Sequence, residues 1–116
     1  MFTNNEMDQV FSALAHVTRR DILDRVRDTP GISVGELAKS FDVTRIAVMN
    51  HLTVLTNAGL ILSRKQGRSR HLYLNAMPIQ MIYKRWIDSY SDHWLDRMSL
   101  IRDTAEAIAK QNKPES

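Results

Sequence analysis

Apolar residues recur at steps of three and four over the first part of the chain, which is the period of an amphipathic helix. In residues 5–16 these positions are Met7, Val10, Phe11, Leu14 and Ala15. The spacing predicts a first helix over that range. Thr18 lies three residues before Asp21, which resembles a capping box and predicts the start of a second helix that ends at the Thr-Pro-Gly sequence of residues 29–31.

Two further helices are predicted on either side of a three-residue turn. Ser33 and Glu36 form an S-x-x-E capping box, so a third helix covers about residues 33–40. A fourth helix follows over residues 44–58, capped by a threonine at its start and ended by Gly59, which supplies a left-handed position. Two helices joined by so short a turn describe a helix-turn-helix.

The segment after the fourth helix changes from helical to alternating periodicity. Residues 60–64 and 71–75 alternate in the manner of short strands, and the polar link 65–70 contains Gly67. This pattern predicts a β-hairpin with a basic tip. A proline then opens a final long helix over about residues 79–111.

The element order α-α-α-α-β-β-α predicts a mainly α fold with a small β-hairpin, a winged helix-turn-helix that forms a single domain over residues 1–116. The chain has no cysteine, which excludes disulfides and thiolate metal sites. No apolar run is long enough to cross a membrane, and the polar N-terminus has the features of neither a signal nor a transit peptide. We therefore expect a cytoplasmic protein.

The charge distribution adds a candidate partner. Residues 43–75 contain no aspartate or glutamate but five basic residues, so this segment carries +5. The remainder has eleven basic and thirteen acidic residues and carries −2. A locally basic surface on a slightly acidic protein is typical of proteins that bind a polyanion such as DNA, the alternative being an ordinary solvated face.

Helical spacing divides the fourth helix into an inner and an outer face. Val48, Leu52 and Leu55 recur at steps of four and three and are expected to face the core. The outer set, which we predict to contact DNA, is Thr44, Arg45, Ile46, Met49, Asn50 and Thr53. In a helix-turn-helix the second helix enters the major groove with its N-terminal residues against the base edges.

The side chains of this outer set suit base recognition. Arg45 can donate two hydrogen bonds to guanine, and Asn50 can pair with adenine. Ile46 or Met49 can pack on a thymine methyl group, although either side chain can instead enlarge the core. The hairpin tip predicts a second contact, in which Lys65, Arg68 and Arg70 reach phosphates and Arg68 enters a narrow minor groove. The alternative for the tip is a solvated turn.

The stretches FSALAHVTRRDILDRV and SVGELAKSFDVTRIAVMNHLTVLTNAGLILSRKQGRSRHLYL resemble the ArsR/SmtB family of bacterial repressors over about residues 10–75. They match the family's F-x-A-L-A…R…I-L, V-x-E-L-A, H-L-x-x-L-x-x-A-G-L and wing G-R segments. The resemblance implies a winged-helix fold, a homodimer built on the first and last helices, and an inverted-repeat operator.

The chain departs from this family where its founding members sense metals. Residues 34–38 match the helix that holds a cysteine pair in those members, and here there is none. The last helix offers a single imidazole, His93, beside Asp88, Asp92 and Asp96, which favours a polar helix face over a metal site. We therefore predict no metal and no cofactor.

The operator sequence cannot be transferred from the family either. Met49 and Asn50 replace the more usual small polar and basic residues before His51. We expect His51 to pack against the protein or to touch a phosphate.

The last helix carries an apolar stripe about 30 residues long, more than one small core can cover. We predict that it pairs with the same stripe of a second copy, the alternative being a pocket for an aromatic or lipid effector. The predicted dimer interface consists of Val10, Phe11, Leu14, Tyr83, Trp86, Tyr90, Trp94, Met98 and Ile101.

These features predict a sequence-specific, DNA-binding transcriptional regulator that is not metal-responsive. It would act as a homodimeric repressor on an inverted-repeat operator, through helix 44–58 and the basic wing 64–71. The alternatives are a sensor that releases DNA on binding an unknown small molecule, and a protein-interaction domain that has no DNA partner. An enzyme is not predicted, because the four histidines are scattered and no nucleophile–base pair is apparent.

Overall fold

The computed structural model describes residues 2–87 and 91–112. In these ranges the chain forms six helices and three strands, in the order α1 Asn4–Leu14, α2 Val17–Asp28, β1 Ile32–Ser33, α3 Val34–Lys39, α4 Arg45–Asn57, β2 Ile61–Gln66, β3 Ser69–Leu74, α5 Met77–Trp86 and α6 Ser91–Asn112. The mainly α winged helix-turn-helix is confirmed. No helix in the described part is long and apolar enough to span a membrane.

Side-chain caps fix the starts of the first four helices. Thr3 and Glu6 form a reciprocal capping box at α1, and Ser33 and Thr44 cap α3 and α4 as predicted. The predicted start of α2 at Thr18 is wrong. Its N-cap is His16, whose Nδ1 accepts a hydrogen bond of 3.2 Å from the Thr18 backbone N–H.

The sheet has one strand more than the sequence predicted. β1 pairs antiparallel with β3, with Ile32 opposite Leu72 and Ser33 opposite His71, so the strand order is β1-β3-β2. A two-residue strand is too short to show alternation, and its existence depends on a partner 40 residues away in the chain.

The hairpin is longer and its tip shorter than predicted. Lys65 pairs with Arg70 inside the β2–β3 ladder, so neither residue lies in a flexible loop. The turn consists of Gly67 and Arg68 alone, and Gly67 has a φ of 62°. A glycine with positive φ at the first central position is typical of the tight turns whose twist suits a hairpin.

The core is formed by one side of each of α1–α4 and by the inner face of the hairpin. Its fully buried side chains include Val10, Ile22, Val26, Leu37, Val48, Leu55, Leu60 and Ile61. α4, the helix that the sequence predicts to contact DNA, is held in place by packing against α1, α2 and β2.

The C-terminal segment is not the single helix over residues 79–111 that the sequence predicted. α5 ends at Trp86, Ile87 lies in a turn, and α6 begins at Ser91. Residues 88–90, between Ile87 and α6, lie outside what the structure describes. The described residues divide into two compact units, with the boundary between Ile82 and Tyr83.

Candidate nucleic-acid interface

α4 presents one stripe to the core and another to solvent, as predicted. Val48, Leu52 and Leu55 are buried. The six residues of the predicted outer set, Thr44, Arg45, Ile46, Met49, Asn50 and Thr53, are all exposed. Ile46 leaves 75% of its surface in water and Met49 leaves 41%. These fractions contradict the alternative that the two side chains only enlarge the core.

Two threonines on α4 already use a hydroxyl hydrogen bond within the helix. The Thr44 hydroxyl accepts from the Ala47 backbone N–H at 3.1 Å, and the Thr53 hydroxyl donates to the Met49 carbonyl at 3.0 Å. Each oxygen retains acceptor capacity. Arg45 and Asn50 therefore provide the main donors of this exposed stripe.

A groove of about 390 Å³ lies between the wing and the start of α3 and α4. Its lining residues are Ser33, Val34, Gly35, Arg45, Met49, Lys65, Arg68, Ser69 and Arg70. Four of these nine are cationic, and they include all three wing residues predicted from the sequence. The structure thus brings the wing cations together with Arg45 and Met49.

The strand register explains which wing cations face the groove. Side chains alternate between the two faces of a strand, so paired Lys65 and Arg70 share the face of the buried Ile61 and its half-buried partner Leu74. Arg64, opposite His71, points to the other face. The positive charge of the wing therefore faces α4 because the strand register places Lys65 and Arg70 on that side, and not only because the wing is rich in basic residues.

The groove cations are not neutralised by carboxylates. Among the residues that the structure describes, none of the four groove cations forms a salt bridge with a carboxylate. Arg70 donates a hydrogen bond of 3.4 Å to the Ser63 hydroxyl, which orients it without cancelling its charge. The groove therefore keeps an uncompensated positive potential.

His51 lies at the flank of α4 and not in its exposed stripe. Its ring centroid is 4.6 Å from that of His16, and its Nδ1 is 3.4 Å from Nη1 of Arg19. Burial, followed by the charges of His16 and Arg19, lowers the pKa of His51 below its ordinary value of 6.5. The packing role expected for His51 is observed, while its contact with a phosphate stays a prediction.

Several residues of this surface were not identified from the sequence. A second hollow of about 200 Å³ lies under the wing, where Met49 and Arg70 meet Thr56, Asn57 and Ser63. Thr56 and Asn57 follow Thr53 at helical steps of three and four, and Ser63 alternates with Ile61 along β2. The spacing along α4 and β2 therefore indicated these positions. Polar residues are common at exposed positions of helices and strands, so the spacing alone did not assign them to this surface.

The predicted dimer-interface residues fall into three groups. Val10 is fully buried in its own protomer and has no surface to offer a partner, which corrects its assignment. Leu14 is half-buried, whereas Phe11, Tyr83, Trp86 and Ile101 are exposed. Tyr90 and the side chains of Trp94 and Met98 lie outside what the structure describes.

The acidic and imidazole groups of the C-terminal segment cannot be placed. Asp88 and the side chains of Asp92, His93 and Asp96 lie outside the described residues. Where side chains are described, no group of three or more His, Cys, Asp or Glu residues is arranged to hold a metal ion.

Comparison with known proteins supports a regulatory function for this arrangement. A model for a helix-turn-helix domain family matches residues 14–64. The HTH-type transcriptional regulator YuzN of Bacillus subtilis is 35% identical over 91 residues, which cover 73% of this chain and 99% of YuzN. The transcriptional repressor SdpR of Bacillus subtilis is 30% identical over 74 residues, which cover 64% of this chain and 81% of SdpR.

Solved structures give the same result. The crystal structure of the ArsR family transcriptional regulator RHA00566 superposes with a TM-score of 0.66 and 32% identity, covering 79% of this chain and 93% of that one. Together with the winged helix-turn-helix fold, these likenesses show that the chain belongs to the ArsR family of winged helix-turn-helix, DNA-binding transcriptional regulators, which are not enzymes.

Proposed function

We propose that this protein is a homodimeric repressor that binds an inverted-repeat operator in a sequence-specific manner and does not respond to metals. The observation that carries the proposal is the groove between α4 and the wing, in which Arg45, Lys65, Arg68 and Arg70 lie along the exposed stripe of α4 and, among the described residues, have no carboxylate partner. Uncompensated cations next to exposed donors suit a duplex, whose backbone is anionic and whose base edges accept hydrogen bonds.

The dimensions of α4 suit the major groove. Thirteen helical residues span about 20 Å, and a helix with its side chains is about 10–12 Å wide, which matches a groove about 12 Å wide. The N-terminal end of α4 carries Arg45, Ile46 and Asn50, all exposed. We expect Arg45 to bind guanine, Asn50 to bind adenine, and Ile46 or Met49 to pack on a thymine methyl group.

The wing contributes contacts that do not depend on base identity. Lys65 and Arg70 face the groove from the strands, while Arg68 sits in the two-residue turn at the tip. We therefore expect Lys65 and Arg70 to contact phosphates and Arg68 to enter the minor groove, where the negative potential is greatest when the groove is narrow.

Exposed aromatic residues support the homodimer. Phe11 on α1 leaves 45% of its surface in water and Trp86 on α5 leaves 50%, while Ile101 on α6 is also exposed. Large apolar and aromatic side chains are costly to leave in water and are enriched in interfaces. A two-fold dimer presents two copies of α4, which favours an operator with two half-sites in inverted orientation.

The testing experiment is selection of genomic DNA fragments by the purified protein, with EDTA in one arm and Zn²⁺ in the other. We expect the same inverted repeat in both arms. A fragment set with no common motif would contradict sequence-specific binding, and a motif found only in the Zn²⁺ arm would contradict metal independence.

A variant then assigns the base contact. Asn50→Ala is expected to lose about 1–3 kcal/mol of binding free energy at particular base positions, because one bidentate contact disappears. Asn5→Ala removes an exposed asparagine of α1, which does not line the groove, and is the matched control. Base preferences that are the same in both variants and in the wild type would show that Asn50 does not contact a base.

A further inference from the structure

Arg19 ties three helices together through one guanidinium. Its Nε donates to the Ala13 carbonyl at 2.9 Å and its Nη2 donates to the Ser12 carbonyl at 3.1 Å, both at the C-terminal end of α1. Its Nη1 contacts Nδ1 of His51 on α4 at 3.4 Å. The last carbonyls of a helix have no partner within it, and the last turn of α1 contains no basic residue. Arg19 therefore serves as the cap of α1 and as a link to α4.

The hydrogen bonds define the protonation of both imidazoles at this link. An arginine side chain only donates, so Nδ1 of His51 must be an unprotonated acceptor. Nδ1 of His16 accepts from the Thr18 backbone N–H and must also be unprotonated. The contact with Arg19 thus requires Nδ1 of His51 to be unprotonated.

The charges around His51 oppose its protonation. The groups that act on it are His16 and Arg19, from the start of α2. α1 contributes the backbone carbonyls of Ser12 and Ala13, which Arg19 already occupies. On α4 the residues one turn away on either side are Ala47, Val48, Val54 and Leu55, all uncharged. In the part of the chain that the structure describes, no carboxylate pairs with Arg19, so a proton on His51 would add positive charge without compensation.

We propose that Arg19, His16 and His51 form a proton-sensitive joint that positions α4, and that protonation of this joint weakens operator binding. The inference rests on the proposed function in that α4 is the helix that meets DNA. A protonated His51 cannot accept from Arg19 and is repelled by it, so acid favours forms in which α4 has moved from α1 and α2. Such a movement displaces Arg45 and Asn50 on the same helix.

The sign of the pH dependence follows from linkage. The pKa of His51 is lowered in the folded protein, so below about pH 6.5 the unfolded or undocked form takes up a proton more readily than the folded form. The stabilisation is present above pH 6.5 and is lost as the pH falls toward the folded-state pKa. For one proton the affinity changes by at most about tenfold per pH unit.

The experiment measures operator affinity between about pH 8 and about pH 5.5 at constant ionic strength, with a duplex selected by the wild-type protein. We expect the wild-type Kd to rise about three- to tenfold over this range. His51→Asn keeps an acceptor near the position of Nδ1 but does not titrate, so its Kd is expected to stay constant. His71→Asn is the matched control, because His71 contacts the Gly31 carbonyl through Nδ1 at 2.8 Å and lies outside the joint, and it should follow the wild type.

A second measurement needs no DNA. The urea midpoint of the wild type should fall on acidification, and His51→Asn should remove most of that fall. His16→Asn, which retains a favoured N-cap residue, is expected to reduce it as well and serves where His51→Asn does not fold. A His51→Asn profile as steep as that of the wild type would overturn the joint. Operator binding that tightens in acid would also overturn it, and is the result expected if His51 contacts a phosphate instead. Absence of selective DNA binding at pH 8 would instead refute the proposed function. In that case the urea profiles would still show whether the joint responds to protonation.

Discussion

The groove geometry makes its sharpest prediction for two arginines on the same hairpin. Arg70 faces the groove beside Lys65, whereas Arg64 lies on the opposite face of the hairpin. Arg70→Gln and Arg64→Gln remove the same charge from neighbouring positions of one small sheet. If the groove binds phosphate, only the first change removes a DNA contact.

The expected magnitude follows from counterion release. Each phosphate contact contributes about −0.9 to the slope of log K against log salt concentration. Loss of one contact in Arg70→Gln should therefore make this slope less steep by about 0.9. Between about 50 and about 200 mM salt, the variant should then lose about 3.5-fold less affinity than the wild type loses. At about 100 mM salt we expect operator affinity to fall by about 1 kcal/mol, a modest value because Arg70 is exposed and its interaction is screened.

The assay is a titration of labelled operator by fluorescence anisotropy at four salt concentrations, repeated with a duplex of scrambled sequence. Arg70→Gln should weaken binding to both duplexes to a similar degree, because phosphates carry no sequence information. Glutamine can retain the hydrogen bond to Ser63, so the wing should keep its conformation. Equal slopes for Arg70→Gln and Arg64→Gln would show that DNA responds to net charge alone, and the groove would lose its assigned role.

Three further predictions concern stability and assembly. Gly59 has a φ of 78°, and a Cβ there would meet Pro78 only at an ordinary 3.7 Å, so Gly59→Ala should cost about 1–2 kcal/mol through backbone strain alone. Gly35 lies in α3 and has open space around its Cβ position, so Gly35→Ala should raise the free energy of unfolding by about 0.4–1 kcal/mol in urea denaturation. A lower free energy of unfolding would show that this position has no room for a methyl group. Trp86→Asp should raise the dimer dissociation constant at least about tenfold in sedimentation, because it places a charge where we propose a desolvated contact. Gln80→Asp introduces the same charge on the same helix and should leave the dissociation constant unchanged. A dimer unaffected by Trp86→Asp would remove α5 from the proposed interface.

The fold of α3 and α4 was accessible from sequence because its determinants are local. The Ser33 and Thr44 caps lie within three residues of the amides they bind, and the buried positions of α4 follow its own helical period. The exposed set of α4 follows from the same period. The period of α4 therefore assigns all six of these residues to its exposed face.

The remaining features depend on contacts distant in the chain. β1 exists because Ile32 meets Leu72, and the sharing of the groove by Arg70 and Arg45 depends on the hairpin register. The link between Arg19 and His51 joins residues 32 positions apart, in segments whose sequences suggest no pairing. Periodicity within one segment carries no information about such partners.

If α4 binds DNA as we propose, DNA binding and helix stability are opposed at its N-terminal end. α1 and α3 each place a glutamate in the first turn, at Glu6 and Glu36, where it complements the helix dipole, whereas the first turn of α4 has no acidic residue. A carboxylate there would stabilise the isolated helix by about 0.3–1 kcal/mol but would repel a phosphate at the same place. Because α4 forgoes that stabilisation, its position depends more on its buried stripe and on the link to Arg19. A substitution at that link should therefore weaken operator binding before it destabilises the domain enough to unfold it.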